Sequence, residues 1–147
     1  MLDIFAVFAT DEKLENEGVW KDIGQGTELL VARTGNRAYG NELTKLVEAN
    51  KDVLDERKDD KPTPAADAMS DSIMVDVLAA TVLRGWRTKR PDGTYVGDLL
   101  YRKKPLSYSV ENAKLLLSHK DFRQKVVGIA TEIDNYRVKE EVQQGEA

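Results

Sequence analysis

The chain of 147 residues has no cysteine and one histidine, His119. The first absence excludes disulfide staples, thiolate chemistry and cysteine-type zinc sites, and it fits a reducing compartment. The second makes any Ser-His-Asp arrangement depend on His119 alone. That residue lies in Ser118-His119-Lys120-Asp121, between two expected helices, where a surface role is the reading. No run approaches the roughly 20 apolar residues that a bilayer span needs. The stretch from Met1 to Ala9 carries Asp3 and has no basic flank, so a secretory signal is not expected. No repeat is found. Gly24-Gln25-Gly26 lacks the rest of a GxGxxG pattern and a Walker lysine, and an apolar strand-like segment follows it, so it reads as a turn.

The acidic pairs Asp59-Asp60 and Glu140-Glu141 sit in hydrophilic segments rather than in a shared dry cleft. Asp67, Asp71 and Asp76 share a helix without making a metal ligand set. These absences leave no catalytic, cofactor-binding or metal-binding residue to assign, and the expectation is a non-enzymatic protein without a cofactor.

What is present is a length suited to one domain, 41% hydrophobic residues and a net charge of −4. The charge is uneven. From Arg84 to Lys104 seven basic residues stand against Asp92 and Asp98, so this stretch is +5 and the remainder −9. Trp86, Tyr95, Tyr101 and Tyr108 interleave with these charges, as in some single-strand binders. A negative chain gains no whole-molecule attraction to nucleic acid, however, and a basic face meeting an acidic protein is the preferred reading.

The order of elements follows from periodicity. Residues 4–9 are rich in β-branched and aromatic side chains and predict a strand. Residues 10–16 predict a loop or a weak helical turn. Two apolar segments around the glycine pair predict a β-hairpin over residues 19–32. Tyr39, Leu43, Leu46, Val47 and Leu54 recur at three to four residues and predict a helix over 37–57, with Asn36 as its cap. A charged linker with Pro62 and Pro64 follows. The most apolar helix is expected over 65–84, stopped by Gly85 and buried in the core or against another subunit.

Residues 86–108 read as irregular or β structure. Pro91-Asp92-Gly93 would turn one segment at 87–89 onto another at 95–96, and Pro105 would end a strand begun at Leu99. Trp86 is expected to anchor this region to the core, its indole N–H finding a carbonyl. Two last helices are expected over 110–118, capped by Ser109, and 122–141, capped by Asp121. The fold class predicted is mainly α (α+β): about four helices with a small N-terminal β-hairpin. It forms a single domain over 1–137, with a polar tail over 138–147. The expected core is Tyr39, Leu43, Leu46, Ile73, Val77, Leu78, Leu116, Phe122, Val126, Ile129 and Ile133.

One succession of motifs goes further. Val31-Ala32-Arg33-Thr34-Gly35-Asn36-Arg37-Ala38-Tyr39 is followed by an apolar helical run closing on Leu83-Arg84-Gly85-Trp86. Then come the Pro91-Asp92-Gly93 turn, Tyr108-Ser109-Val110-Glu111-Asn112-Ala113 and a last amphipathic helix. In that order the chain resembles the tail assembly chaperones of bacteriophages with long, non-contractile tails, in their short form, over residues 17–136. The resemblance implies binding to the tape measure protein, which is kept soluble before the tail tube polymerises. It also implies residence in the host cytoplasm and absence from the mature virion.

The client would enter an apolar groove bordered by Trp86 and the basic stretch. The candidate partner-binding residues are Met69, Met74, Trp86, Arg87, Lys89 and Arg90, with the last three expected to be exposed. Homo-oligomerisation through the 65–84 helix is expected; nucleic-acid binding and membrane binding are not. The alternatives are a structural tail or head–tail connector component of the particle and a small nucleic-acid-binding phage protein.

Overall fold

The computed structural model describes residues 1–139. Among them the first two elements are short helices, α1 (Ile4–Phe8) and α2 (Glu12–Glu17). The expected strand at 4–9 is therefore corrected. The Asp3 carboxylate accepts from the Ala6 N–H at 3.3 Å and starts a helical turn. No neighbouring strand pairs with the segment except at Thr10, which bridges to Arg137. A short apolar run has no period of its own that separates strand from helix.

The hairpin is present as β1 (Val19–Gly24) and β2 (Thr27–Val31). Gly24, Gln25 and Gly26 all take positive φ at its turn, at 126°, 54° and 79°. Next come α3 (Arg37–Ala49) and α4 (Lys51–Leu54), two helices where one over 37–57 was expected. Asn50 divides them, at φ −121° with its side-chain N–H donated to the Leu46 carbonyl at 2.8 Å. The linker closes into a two-residue ribbon, β3 (Arg57–Lys58) and β4 (Lys61–Pro62), around Asp59 and Asp60 at positive φ.

Helix α5 (Pro64–Thr81) begins with the Thr63 hydroxyl accepting from the Ala66 N–H and with proline at its first position, where a missing N–H costs nothing. It is followed by strand β5 (Leu83–Lys89). Short strands β6 (Tyr95–Val96), β7 (Asp98–Tyr101) and β8 (Lys104–Ser107) come next. Helices α6 (Val110–Leu117) and α7 (Lys120–Thr131) and a 3-10 turn (Ile133–Tyr136) complete the described chain.

The fold is thus α+β rather than mainly α with about four helices. Among the described residues it has seven α-helices and eight strands in three sheets. The antiparallel order β1-β2-β5-β6 makes the main sheet, while β3-β4 and β7-β8 are separate ribbons. The largest correction is β5. Its apolar residues continue those of α5 with only Val82 between, so the run reads as one helix. Pairing then decides otherwise: Leu29 lies opposite Trp86 and Leu30 opposite Gly85. Gly85 is no helix stop. It lies under the Trp20 ring and the Leu30 side chain, each 3.7–3.8 Å from where a Cβ would stand.

Pro105 does not end β7 but sits opposite Leu100 in β8, on a two-stranded ribbon where its missing N–H breaks no central ladder. The last helix ends at Thr131 instead of 141, because Glu132 turns extended; residues 140–141 lie outside the described residues. The residue at its N-cap is His119 rather than Asp121, which stands in the first turn.

One face of the main sheet carries Leu29, Val31, Leu83 and Trp86 into a core shared with Leu78, Val82, Leu99, Leu117, Val126 and Ala130. Tyr136 closes it from the far end. The ring is fully buried and its hydroxyl donates to the Val31 carbonyl at 3.0 Å. Of the expected core residues, Ile73, Val77, Leu78, Leu116 and Val126 are buried and the other six are half-buried. Helix α5 is covered by α3, α4, α6 and β5 of its own chain, so no second subunit is needed to bury it. Large apolar side chains are left outside in a cluster at Met1, Leu2, Ile4, Phe5 and Phe8, on and before α1, and elsewhere at separated positions such as Leu100, Val47 and Leu115.

Candidate functional site

The string around Asn36 does structural work. The Ala32 N–H donates to the Val82 carbonyl, that of Arg33 to Glu15, and that of Thr34 to Ala130. The chain then turns at Gly35, with φ 89°. The Asn36 carboxamide oxygen accepts from the Tyr39 N–H at 2.8 Å, and its amide donates to the Arg33 and Thr81 carbonyls. One side chain therefore caps α3 and ties it to the end of α5. The Arg33 guanidinium meets the Glu15 carboxylate at 2.7 Å, which holds α2 against the sheet.

The six candidate partner-binding residues do not converge. Met69 and Met74 are half-buried on α5, and Met74 packs on the core. Trp86 is only 3% exposed. Its indole N–H donates to the Leu106 carbonyl at 2.9 Å, and its ring meets Tyr108 edge-on at 5.0 Å. The anchoring role holds; a place on the border of a groove does not.

Arg87, expected to be exposed, is instead clamped. Its Nε donates to Glu28 Oε1 at 2.8 Å, and its guanidinium carbon stands 3.9 Å from both the Trp20 and the Tyr95 ring centroids. The cation–π sandwich and the ion pair together tie β1, β2, β5 and β6 across the outer sheet face. Only Lys89 and Arg90 are fully exposed, beside the Pro91-Asp92-Gly93 turn. There Asp92 is held below the usual carboxylate range by hydrogen bonds from the Thr94 hydroxyl and N–H. The basic stretch is split in space: Arg84 at one end of β5, Lys89 and Arg90 at the other, and Arg102, Lys103 and Lys104 on the turn from β7 to β8.

An apolar cleft does exist, in another place. It has a volume of about 510 Å³ and opens between the β1–β2 turn, β7 and the junction of α6 with α7. Ile23, Leu99, Leu100, Leu116 and Phe122 supply its apolar walls, and Tyr101 and His119 its rim. The Tyr101 hydroxyl and His119 Nε2 are 2.7 Å apart. The volume falls within the range of about 300–1,000 Å³ usual for ligand sites. Sequence reasoning missed it because its walls come from four separated segments, and only Leu116 and Phe122 were marked, as core.

A second, polar hollow of about 950 Å³ lies near Glu12, Glu15, Asn36, Arg37 and Arg84, in reach of the cap just described. Burial pushes the Tyr136 and Tyr108 hydroxyls up from their ordinary pKa, and both serve the core rather than either hollow. Among the described residues no group of three or more His, Cys, Asp or Glu could hold a metal ion, and no helix is long and apolar enough to cross a membrane.

Residues 35–146 match the family described as YdaY prophage protein. The match begins at the Gly35 turn and takes in α3 to the end of the described chain. No curated protein and no solved structure matches. The description carries a phage origin and names no activity or partner. Since the matched region spans more than half of the sequence, the chain belongs to the YdaY prophage protein family.

Proposed function

We propose that this phage-derived protein is a tail assembly chaperone, which binds apolar helical segments of the tape measure protein and keeps that client soluble before the tail tube polymerises. The observation that carries the reading is the open apolar cleft between the β1–β2 turn, β7 and α7. Such a cleft suits helix-in-groove recognition, in which a few apolar side chains at three- and four-residue spacing supply the contact. A client of repeating helical segments can then take up many copies without a strict sequence code. The phage origin and the resemblance of the motif order support the same reading. No catalytic step or cofactor belongs to it, and its place is the host cytoplasm rather than the finished virion.

Co-expression with the tape measure protein tests it. The client is expected to be soluble with this protein and to aggregate without it. Leu100→Glu, at a cleft residue 70% exposed and thus outside the core, is expected to abolish the effect. Charge reversal at Lys89 and Arg90 is expected to weaken it less, because both lie beyond the cleft walls. A client that stays soluble alone overturns the proposal.

One observation favours a second reading, a structural component of the particle: the chain exposes an apolar helix and an apolar cleft on one molecule, as a polymerising subunit would. Mass spectrometry of purified virions separates the two, since a chaperone leaves and a component stays. The nucleic-acid reading falls behind both, because Glu28 neutralises Arg87 and the other basic residues are divided between the two ends of β5 and the β7–β8 turn.

A further inference from the structure

Met1, Leu2, Ile4, Phe5 and Phe8 are each more than half exposed. Such a cluster exceeds the scattered apolar residues of an ordinary surface and marks an interaction site. Phe5 and Phe8 stand three residues apart, and Ile4 and Phe8 four, so these side chains share one side of α1. Among the described residues nothing covers them.

The apolar helix and the apolar cleft lie at opposite ends of the molecule. Helices α1 and α2 are tied to the end of β2 and to the far end of α7. The Val138 N–H donates to the Ala9 carbonyl, Asp11 to Tyr136 and Arg33 to Glu15. The cleft is lined by the other end of the hairpin, at Ile23 to Gln25, and by the start of α7, at His119 and Phe122. Five residues of β2 and twelve of α7 both span roughly 17–18 Å. An α1 held at one end cannot fold back into the cleft of its own chain.

Charge points to the same pairing. Along α1 and α2 five acids, Asp3, Asp11, Glu12, Glu15 and Glu17, stand against Lys13. Arg33 pairs with Glu15, and Arg37 and Arg84 line the polar hollow beside Glu12, which leaves Asp3 and Asp11 as the acids nearest α1. Beside the cleft, Arg102, Lys103 and Lys104 follow Tyr101 on the β7–β8 turn, all exposed, and with Lys120 they outnumber the exposed acids Asp22 and Asp121. The acidic end of one molecule is thus complementary to the basic rim of another. Two phenyl rings also fit a cleft of about 510 Å³.

We infer that the occupant of the cleft is α1 of a second copy, with Phe5 and Phe8 inserted between Ile23, Leu100 and Phe122. The contact is heterologous, so it repeats head to tail instead of closing a symmetric dimer. A five-residue helix contributes less than the roughly 800 Å² per partner of a standard interface, so association depends on concentration. The complementary charges make it weaken as salt is raised. This pairing uses the same cleft as the chaperone reading but needs no client, so either can fail alone.

Sedimentation velocity on the full chain at low salt, over micromolar to several hundred micromolar protein, provides the test. The average mass of the unaltered protein is expected to rise steadily past that of a dimer. Phe5→Ser with Phe8→Ser, and separately Leu100→Glu, are expected to weaken association by on the order of tenfold or more. Circular dichroism should show each variant folded, since all three positions lie outside the core. An equimolar mixture of the two variants retains one intact helix and one intact cleft, so it should give dimers and nothing larger. A monomer at every concentration, a mixture that stays monomeric, or a Phe5/Phe8 variant that assembles like the parent overturns the inference. So does a monomer that sediments with phosphatidylcholine vesicles only when Phe5 and Phe8 are present, which would make α1 a lipid contact.

Discussion

Helices α5 and α1 are both apolar, and the chain treats them in opposite ways. Ile73, Val77, Leu78 and Ala79 of α5 are at most 4% exposed, whereas Ile4, Phe5 and Phe8 of α1 are 56–63% exposed. Composition does not separate them; neighbours do. Helix α5 is flanked by α3, α4, α6 and β5, while α1 is held by backbone bonds at Ala9 and Asp11 and leaves Ile4, Phe5 and Phe8 uncovered among the described residues. An apolar helix is therefore a claim on a partner, and only the three-dimensional fold tells whether the chain supplies that partner.

The comparison can be broken first at Leu78. Leu78→Ala empties a fully buried position and is expected to cost about 2–5 kcal/mol, read as a lower urea midpoint. An unchanged midpoint would mean that α5 is not the centre of the core.

The far end of the same core is probed by Tyr136→Phe, which removes the hydroxyl bonded to the Val31 carbonyl. A loss of about 1–3 kcal/mol is expected at neutral pH. Burial raises the Tyr136 pKa above its ordinary 10.0 in the folded protein. Its contribution is therefore complete below pH 10 and is lost as pH climbs through the folded value. Thermal melts of the parent should fall steeply above pH 10, and those of the Phe variant less steeply. Tyr108, shifted the same way by burial, leaves part of the slope in both.

A smaller effect is expected at the joint between α3 and α5. Asn36→Ala removes the cap and the two amide bonds, for about 1–2 kcal/mol. Asn36→Asp, which keeps the accepting oxygen, should restore part of it.

The smallest effect sharpens the contrast: Phe5→Ala and Phe8→Ala should stay within about 0.5 kcal/mol of the parent in dilute solution. A larger loss would show that α1 supports the fold itself.

Local features of this chain were legible in the sequence. Asn36 and Ser109 cap helices because their side chains reach an N–H three residues on, and no distant contact is needed. The Gly24-Gln25-Gly26 turn and the return of 87–89 onto 95–96 were legible for the same reason. The third strand of the main sheet was not. Leu83 to Lys89 pairs with residues more than fifty positions earlier, and a run of Val, Leu and Trp looks alike in a buried helix and in a buried strand.

The site followed the same division. The positive charge of Arg87 was visible, but its neutralisation by Glu28 and its place between Trp20 and Tyr95 depend on four strands aligning. The cleft walls at Ile23, Leu99 and Phe122 have no common motif, because three separate elements meet there.

The bond from Tyr136 to Val31 spans 105 residues, and that distance sets a timetable. On a ribosome, β1 and β2 emerge early and can zip into a hairpin at once. Their third strand is still unmade, and the ring that seals their inner face comes later still. Contacts of such long sequence separation slow the search for the native state. The nascent chain therefore carries a bare sheet face until Leu83 to Lys89, and then Tyr136, have followed. Pulse-labelled hydrogen exchange should find the β2 amides that face β5 protected only together with those of Leu83 to Lys89, since a lone two-stranded hairpin is marginally stable.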